Sequence, residues 1–398
     1  MMRRLLLIIA LLTSCAMMRA AVPTDTVVSL VNVYPGHDIY ELEGHTALRL
    51  TMPGGDYAVS WGTFDFDSPN FVYRFVKGET DYRVDVIPWQ PFERYYAGCG
   101  RRIVSHRIDF TPEQTRRLLD LIADNLLPQN RVYRYNYVLD NCATRPLRML
   151  ELAAGDSLVV VDYGTATDSI ARPLTFRNVM RRYHRNYPWY QFGIDLALGS
   201  GIDRPVDSRE LTFAPVLLDA AAGRITLRGS GRRLTAGAPV AVADLAPAAA
   251  VATPTPWYLT PMAAALAVLV LAAVLTVRDV RRRRVTRWFD AVLYGLQGLA
   301  GCLLTFLIFV SVHEATSPNL LLMWLNPLAL VVPVLIWLKK CKVAVFSYQI
   351  INFALLFAMC AVWPFAGQSA NAAFWPLIAA DALRSLSYIY IYVTQKSR

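Results

Sequence analysis

The stretch LTPMAAALAVLVLAAVLTV, Leu259–Val277, is 19 residues without a charge. A helix of that length crosses about 30 Å of hydrocarbon, so it reads as a membrane span. Arg278, Arg281, Arg282, Arg283, Arg284 and Arg287 follow at once. Toward the C-terminus, further spans are expected at Ala291–Val312, Leu320–Leu338, Val343–Trp363 and Phe374–Val393. Lys339, Lys340 and Lys342 precede the fourth, and Lys396 and Arg398 end the chain, whereas His313–Asn319 and Pro364–Ala373 carry no Lys or Arg. Basic loops stay in the cytoplasm, so this alternation puts the C-terminus inside and residues 21–256 outside. Residues 257–398 therefore read as an all-α bundle of about five transmembrane helices. Asn326-Pro327 and Pro333 interrupt the third, which is expected as a kinked, protein-facing helix. Asp381 and Arg384 lie three apart on one face of the fifth, as a local salt bridge or as a polar lining.

The charge distribution excludes a nucleic-acid-binding protein. The 398 residues carry a net charge of +10, but residues 1–20 hold +3, residues 21–256 hold −1 and residues 257–398 hold +8. A nucleic-acid-binding domain concentrates its Lys and Arg on the folded polar part. With 55% hydrophobic and 18% charged residues, the chain is too apolar for disorder.

At the N-terminus, Arg3 and Arg4 precede the apolar run Leu5–Leu12 and then small residues, the pattern of a secretory signal over residues 1–20. Ser14-Cys15-Ala16 suits ordinary cleavage, while Leu12-Thr13-Ser14-Cys15 reads as a lipoprotein box that would lipidate Cys15. The signal and the basic loops agree on one topology, a multi-pass protein of the bacterial inner membrane with its N-terminal domain in the periplasm and its C-terminus cytoplasmic. In the exported part only Cys99 and Cys142 remain, either as a disulfide or as one structural and one reactive thiol.

Residues 21–235 read as an α+β domain. Alternating runs predict strands at Val27–Val33, His45–Thr51, Tyr57–Phe64, Tyr82–Trp89 and Ile103–Phe110, with a hairpin turn at Pro53-Gly54-Gly55-Asp56. Thr111-Pro112-Glu113-Gln114 is a capping box that opens a helix to Leu127, and helices follow at Ala143–Ala154, Thr175–Arg185 and Trp189–Leu198. Strands first and helices after predict an antiparallel sheet. The Ala/Pro-rich residues 236–256 read as a linker.

Two residues carry the chemistry. In Glu43-Gly44-His45-Thr46-Ala47-Leu48-Arg49-Leu50, period two puts Thr46, Leu48 and Leu50 on a core face and His45, Ala47 and Arg49 on the other. Pro146 is tolerated only in a first helical turn, so the helix after Asn141 starts near Cys142, and its dipole is expected to lower the thiol pKa. A helix-start Cys facing a strand His is a papain-like pairing in which imidazole takes the thiol proton. From spacing alone, a core thiol and a surface imidazole are the alternative reading. His37 lies in a loop, His106 and His184 read as surface residues, and no zinc-type spacing joins any of them, so no metal is expected.

Several motifs occur in order: Pro35-Gly36 leading to Gly44-His45-Thr46-Ala47-Leu48-Arg49, then Trp61-Gly62-Thr63-Phe64-Asp65-Phe66, Asn141-Cys142-Ala143-Thr144, and Trp189 to Gly199 before Asp203. Asn319 and Leu325-Asn326-Pro327-Leu328 follow in the membrane part. Together they resemble the Lnb-type lipoprotein N-acyltransferases over nearly the whole chain. The His-then-Asn-Cys order is also similar to that of the permuted papain-like lecithin:retinol acyltransferases. The resemblance implies a permuted papain-like periplasmic domain that moves a fatty acyl chain from a phospholipid donor, through a Cys142 thioester, to the N-terminal amine of a diacylglyceryl-lipoprotein, with no cofactor. Cys142 would be the nucleophile and His45 the base, with oxyanion donors at the Cys142 N–H and the Asn141 side chain. Asp65 or Thr63 would orient His45, and Arg49, Asp195 and Asp203 would shape the site. Glu43 stands where the family pattern leads one to expect an apolar residue, and beside His45 it would shift the imidazole's basicity. The rival readings are a periplasmic NlpC-type cysteine peptidase or amidase acting on cell wall, and a non-catalytic membrane scaffold with Cys142 paired to Cys99.

Overall fold

The computed structural model describes residues 25–160, 162–244 and 253–396. The expected signal, the lipoprotein box at Cys15 and part of the expected linker lie outside these residues.

The exported domain is built on the predicted hairpin. A two-residue turn at Pro53-Gly54 pairs Met52 with Gly55, joining β2 (His45–Met52) to β3 (Gly55–Thr63), and β1 (Val27–Val33) pairs along the other edge of β2. The chain then forms α1 (Phe71–Lys77), β4 (Asp81–Pro88), α2 (Trp89–Gly98), β5 (Ile103–Arg107), α3 (Pro112–Asn125) and β6 (Val132–Arg134). After α4 (Thr144–Ala154) come β7 (Leu158–Val159), α5 (Phe176–Tyr183), α6 (Pro188–Ala197), α7 (Pro215–Ala222), β8 (Thr226–Leu227) and β9 (Val240–Ala243). Among the described residues the main sheet is antiparallel with order β6-β4-β3-β2-β1-β5-β9. Its edge strand β9 comes from the stretch expected as linker, because Val240 and Ala241 pair with Ser105 and Val104.

One face of the sheet, with Leu30, Leu48 and Trp61, packs against Leu118 of α3, Leu147 of α4 and Leu217 of α7. Both halves of the Thr111/Gln114 capping box form and start α3. The opposite face, which carries Ala47, is also covered. Val31, Ala47 and Ala58 pack under Trp89 and Phe92 of α2. Pro88 ends the strand, and Trp89, Phe92 and Tyr96 repeat at helical spacing, so the apolar stripe of α2 folds back over the sheet.

The C-terminal half contains α8 (Pro261–Arg282), α9 (Arg287–Phe309), the short α10 (Val331–Leu335), α11 (Lys342–Val362) and α12 (Phe374–Lys396). Among the described residues, Pro261–Arg282, Arg287–Phe309 and Lys339–Phe365 are long and apolar enough to cross a membrane. The shorter apolar stretch Leu320–Leu335 and α12 pack with them. The expected third span is not one helix: Leu320–Met323 and Pro327–Leu330 are single 3-10 turns ahead of α10. Pro327 and Pro333 remove amide donors there, and a glycine face on α9 lets the irregular backbone approach. A Cβ on Gly301 would stand 2.5 Å from the Asn326 carbonyl carbon.

The exported domain sits on one end of this bundle. Val312 N–H donates to Lys77 O at 2.9 Å, Asn319 Nδ2 to Leu196 O at 3.0 Å, and Asn371 Nδ2 to Asp195 Oδ2 at 2.9 Å. These partners lie in the two connections that lack Lys and Arg. Gln395 meets the Arg283 carbonyl at 2.7 Å, which puts the C-terminal helix end beside a basic loop.

Two stability predictions follow from buried contacts. Arg177 is fully buried and bridges Asp195 (2.9 Å) and Asp203 (2.8 Å). Arg177→Met leaves Asp203 without its guanidinium and removes one of the two that hold Asp195, and is expected to cost about 3–5 kcal/mol, read by denaturant unfolding in detergent. Gly301→Val collides with the Asn326 backbone and is expected to lower the thermal midpoint of the bundle, whereas Gly367→Ala, a position with open space but positive φ, should lower it much less.

Candidate functional site

His45 opens β2, and the hairpin register decides what it meets. Ala47 pairs with Ser60, so Ser60 lies on the same face as His45, one diagonal step away. The Ser60 hydroxyl lies 2.8 Å from His45 Nε2. The Tyr96 ring of α2 stacks on the imidazole at 6.0 Å between centroids. Burial, and then the nearby Arg101 guanidinium, drive the imidazole pKa down to about 3. The histidine is thus neutral at every physiological pH.

Cys142 sits at the N-terminal end of α4. Asn141 builds that end: its Oδ1 accepts from the Ala143 and Thr144 amides at 2.8 and 3.0 Å, and Thr144 Oγ1 accepts from its own amide at 2.8 Å. The Cys142 sulfur faces the hydroxyl of Tyr135 at 3.8 Å, and the amides of Thr46 and of Cys142 itself favour its thiolate. Gly62, at φ +91°, forms a bulge beside it, and a Cβ there would fall 3.6 Å from Cys142 Cβ and 3.2 Å from the Tyr135 ring. Cys142 thus lies beside the start of β2: its sulfur is at the amide of Thr46, the residue that follows His45. The expected lowering of the thiol pKa is corrected. Burial outweighs the two amides and the tyrosine and pushes the thiol up, since desolvation of a buried group exceeds a helix-dipole contribution of about 1 kcal/mol.

Two family models match the chain. That for the Lnb N-terminal periplasmic domain covers residues 14–182, and that for the Lnb transmembrane domain covers residues 253–396. The chain belongs to the Lnb family. It is a membrane-anchored lipoprotein-processing enzyme with a periplasmic N-terminal domain. No curated protein and no solved structure matches it.

Within this Lnb chain several expected site residues have other work. Both Nδ2 hydrogens of Asn141 are committed, to the Tyr137 and Phe213 carbonyls at 2.8 Å each, which leaves none for an oxyanion. Asp65 is exposed and accepts from the Asp67 amide, and Thr63 lies past the bulge, so neither holds His45. Ser60 does, and the two-residue turn contained the signal, because 52↔55 pairing carries straight to 47↔60. Arg49 pairs with Asp56 at 2.5 Å and stacks 4.0 Å above Trp89, far from a site-shaping role. Asp195 and Asp203 are bound to Arg177, and Asp195 also to Arg181 at 3.0 Å.

Two histidines expected on the surface are buried. His184 bonds Glu43 at 2.7 Å and Gln191 at 2.8 Å, so Glu43 serves His184 rather than His45. His106 bonds Asp219 at 2.8 Å. Cys99 is exposed, Cys142 is buried, and both are free, so the expected disulfide alternative is not formed. Asp381 and Arg384 do not pair with each other. Arg384 reaches Asp290 at 2.6 Å and Asp279 at 2.9 Å, while Asp381 accepts from Gln297 and Asn352 at 3.0 and 2.7 Å. Together they tie α8, α9, α11 and α12.

The electrostatics set a pH signature. Iodoacetamide labelling of Cys142, resolved by peptide mass spectrometry, is expected to keep rising beyond pH 9, the ordinary thiol value, with no inflection between pH 5 and 8. Exposed Cys99 in the same sample should label faster at neutral pH.

Proposed function

We propose that the chain is a lipoprotein N-acyltransferase that works through a thioester on Cys142. The observation that carries this reading is the juxtaposition of the Cys142 sulfur with the Thr46 amide, next to His45, in a domain seated on the end of a membrane bundle whose connections carry no Lys or Arg. Both lipid substrates reside in the bilayer, and a soluble cell-wall peptidase would need no such seat.

The imidazole of His45 takes the Cys142 proton as sulfur attacks an ester carbonyl of a phospholipid. The Thr46 and Cys142 amides receive the developing oxyanion. The C–O bond then breaks, and the lysophospholipid oxygen takes the proton back from imidazolium. In the second half, the α-amine of a diacylglyceryl-lipoprotein attacks the thioester, the C–S bond breaks, and His45 carries a proton from nitrogen to sulfur. In the resting site both partners are neutral, so the imidazolium forms only together with the oxyanion whose charge it offsets. Ser60 fixes the ring so that its other nitrogen faces the transferred proton. The basic loops and the C-terminus are assigned to the cytoplasm, and the exported domain to the periplasmic leaflet.

Intact-mass analysis of the purified protein mixed with phospholipid vesicles tests this. A fatty acyl adduct is expected on the wild type, absent in Cys142→Ala and discharged by a diacylated lipopeptide. His45→Asn should slow its formation by about 10²–10⁴-fold. Release of peptidoglycan fragments without any adduct would establish the peptidase reading instead.

A further inference from the structure

Every side chain of α1, Phe71–Lys77, is at least partly exposed, although five of its seven residues are apolar. Its place explains this. The Val312 amide and the Ser311 hydroxyl donate to Lys77 O at 2.9 and 3.1 Å, and His313 Nε2 lies 2.9 Å from Phe75 O. Tyr73 packs on Phe306, one turn from the end of α9, at 6.0 Å. Helix α1 is therefore pinned to the outer end of a membrane-length helix whose terminal Phe309 is itself 71% exposed. Val72 (73% exposed), Phe75 (48%) and Phe66 (58%) continue that apolar side beyond the bundle. An apolar patch continuous with a membrane helix lies at the depth where headgroups meet acyl chains.

From this patch a ladder of rings leads inward. Phe75 stacks on Phe71 at 5.8 Å, Phe71 on Phe64 at 5.8 Å, Phe64 meets Tyr82 at 5.2 Å, and Tyr82 stacks on Tyr135 at 4.5 Å. Tyr135 is the residue whose hydroxyl faces the Cys142 sulfur. The basic residues of α1 are tied away from the patch, Arg74 to Asp81 and Lys77 to Glu79.

We propose that this ladder is an acyl-chain track: the patch at Phe66, Val72 and Phe75 takes a fatty acyl chain of the donor lipid from the outer leaflet, and the rings guide it until its ester carbonyl reaches Cys142. The proposal rests on the acyltransferase reading for the destination, but the contact between α1 and lipid does not require turnover. Apolar rings recognise length and apolarity rather than a headgroup, so selection here falls on the chain.

Two experiments decide it. Full-length Cys142→Ala protein in vesicles containing a phosphatidylcholine with a diazirine on its acyl chain is irradiated and its labelled peptides mapped. Label within residues 64–82 is expected, and label confined to the bundle helices would overturn the track whether or not the protein turns over. In the second, Val72→Asp with Phe75→Ser is compared with the wild type on long-chain phospholipid vesicles and on water-soluble dihexanoyl phosphatidylcholine. The Cys142 adduct should fall at least tenfold more with the long chain than with the short one. Equal falls, or none, would overturn the proposal. A wild type that forms no adduct from either lipid would sink the acyltransferase reading, while the crosslinking result still decides the track.

Discussion

Asp195 holds the two halves of the chain together. One carboxylate accepts from Arg177 and Arg181 of the exported domain and from Asn371 in the connection between the last two long helices of the bundle. Arg181 completes the seam with Ser369 at 2.7 Å and the Ala370 carbonyl at 3.0 Å. A buried charge without such partners costs several kcal/mol, so the groups must meet in one arrangement. That arrangement turns the end of the bundle that lacks Lys and Arg toward the domain and sets α1 beside the outer end of α9. The position of Cys142 relative to the bundle is decided here.

At the site itself, burial governs over the charge effects that the local sequence invites. The start of α4 and two amides all favour thiolate, yet the sulfur is buried against Tyr135, and its proton is held more tightly than in water. His45 is shifted the opposite way by the same cause. Such burial would suit the acyl transfer proposed above, because amide donors act on a developing oxyanion most strongly where water does not compete.

Much of the scaffold was legible in the sequence because it depends on short-range rules. The Pro-Gly turn, the alternation of β1 to β5 and the Thr111/Gln114 box each name their own partners within a few residues. Helix α2 was hidden at the end of a strand, since one apolar Trp suits either period. The third membrane segment was legible as interrupted but not as 3-10 turns against Gly298 and Gly301. His184 and His106 looked exposed because their neighbours are basic or polar, whereas their partners Glu43 and Asp219 come from far along the chain.

The order Gly44-His45 then Asn141-Cys142, the membrane character of residues 257–398 and the separation of charge between its loops were determined by the sequence alone, for hydropathy and motif order need no long-range contact. The tertiary structure decided which polar groups are spent and which are free. It assigned Asn141 to a helix start, Ser60 to the imidazole, Arg49 to a turn, and Arg384 to Asp290 and Asp279 rather than to Asp381. A hydrogen bond saturates its donor, and the choice among distant acceptors is made by packing rather than by residue type.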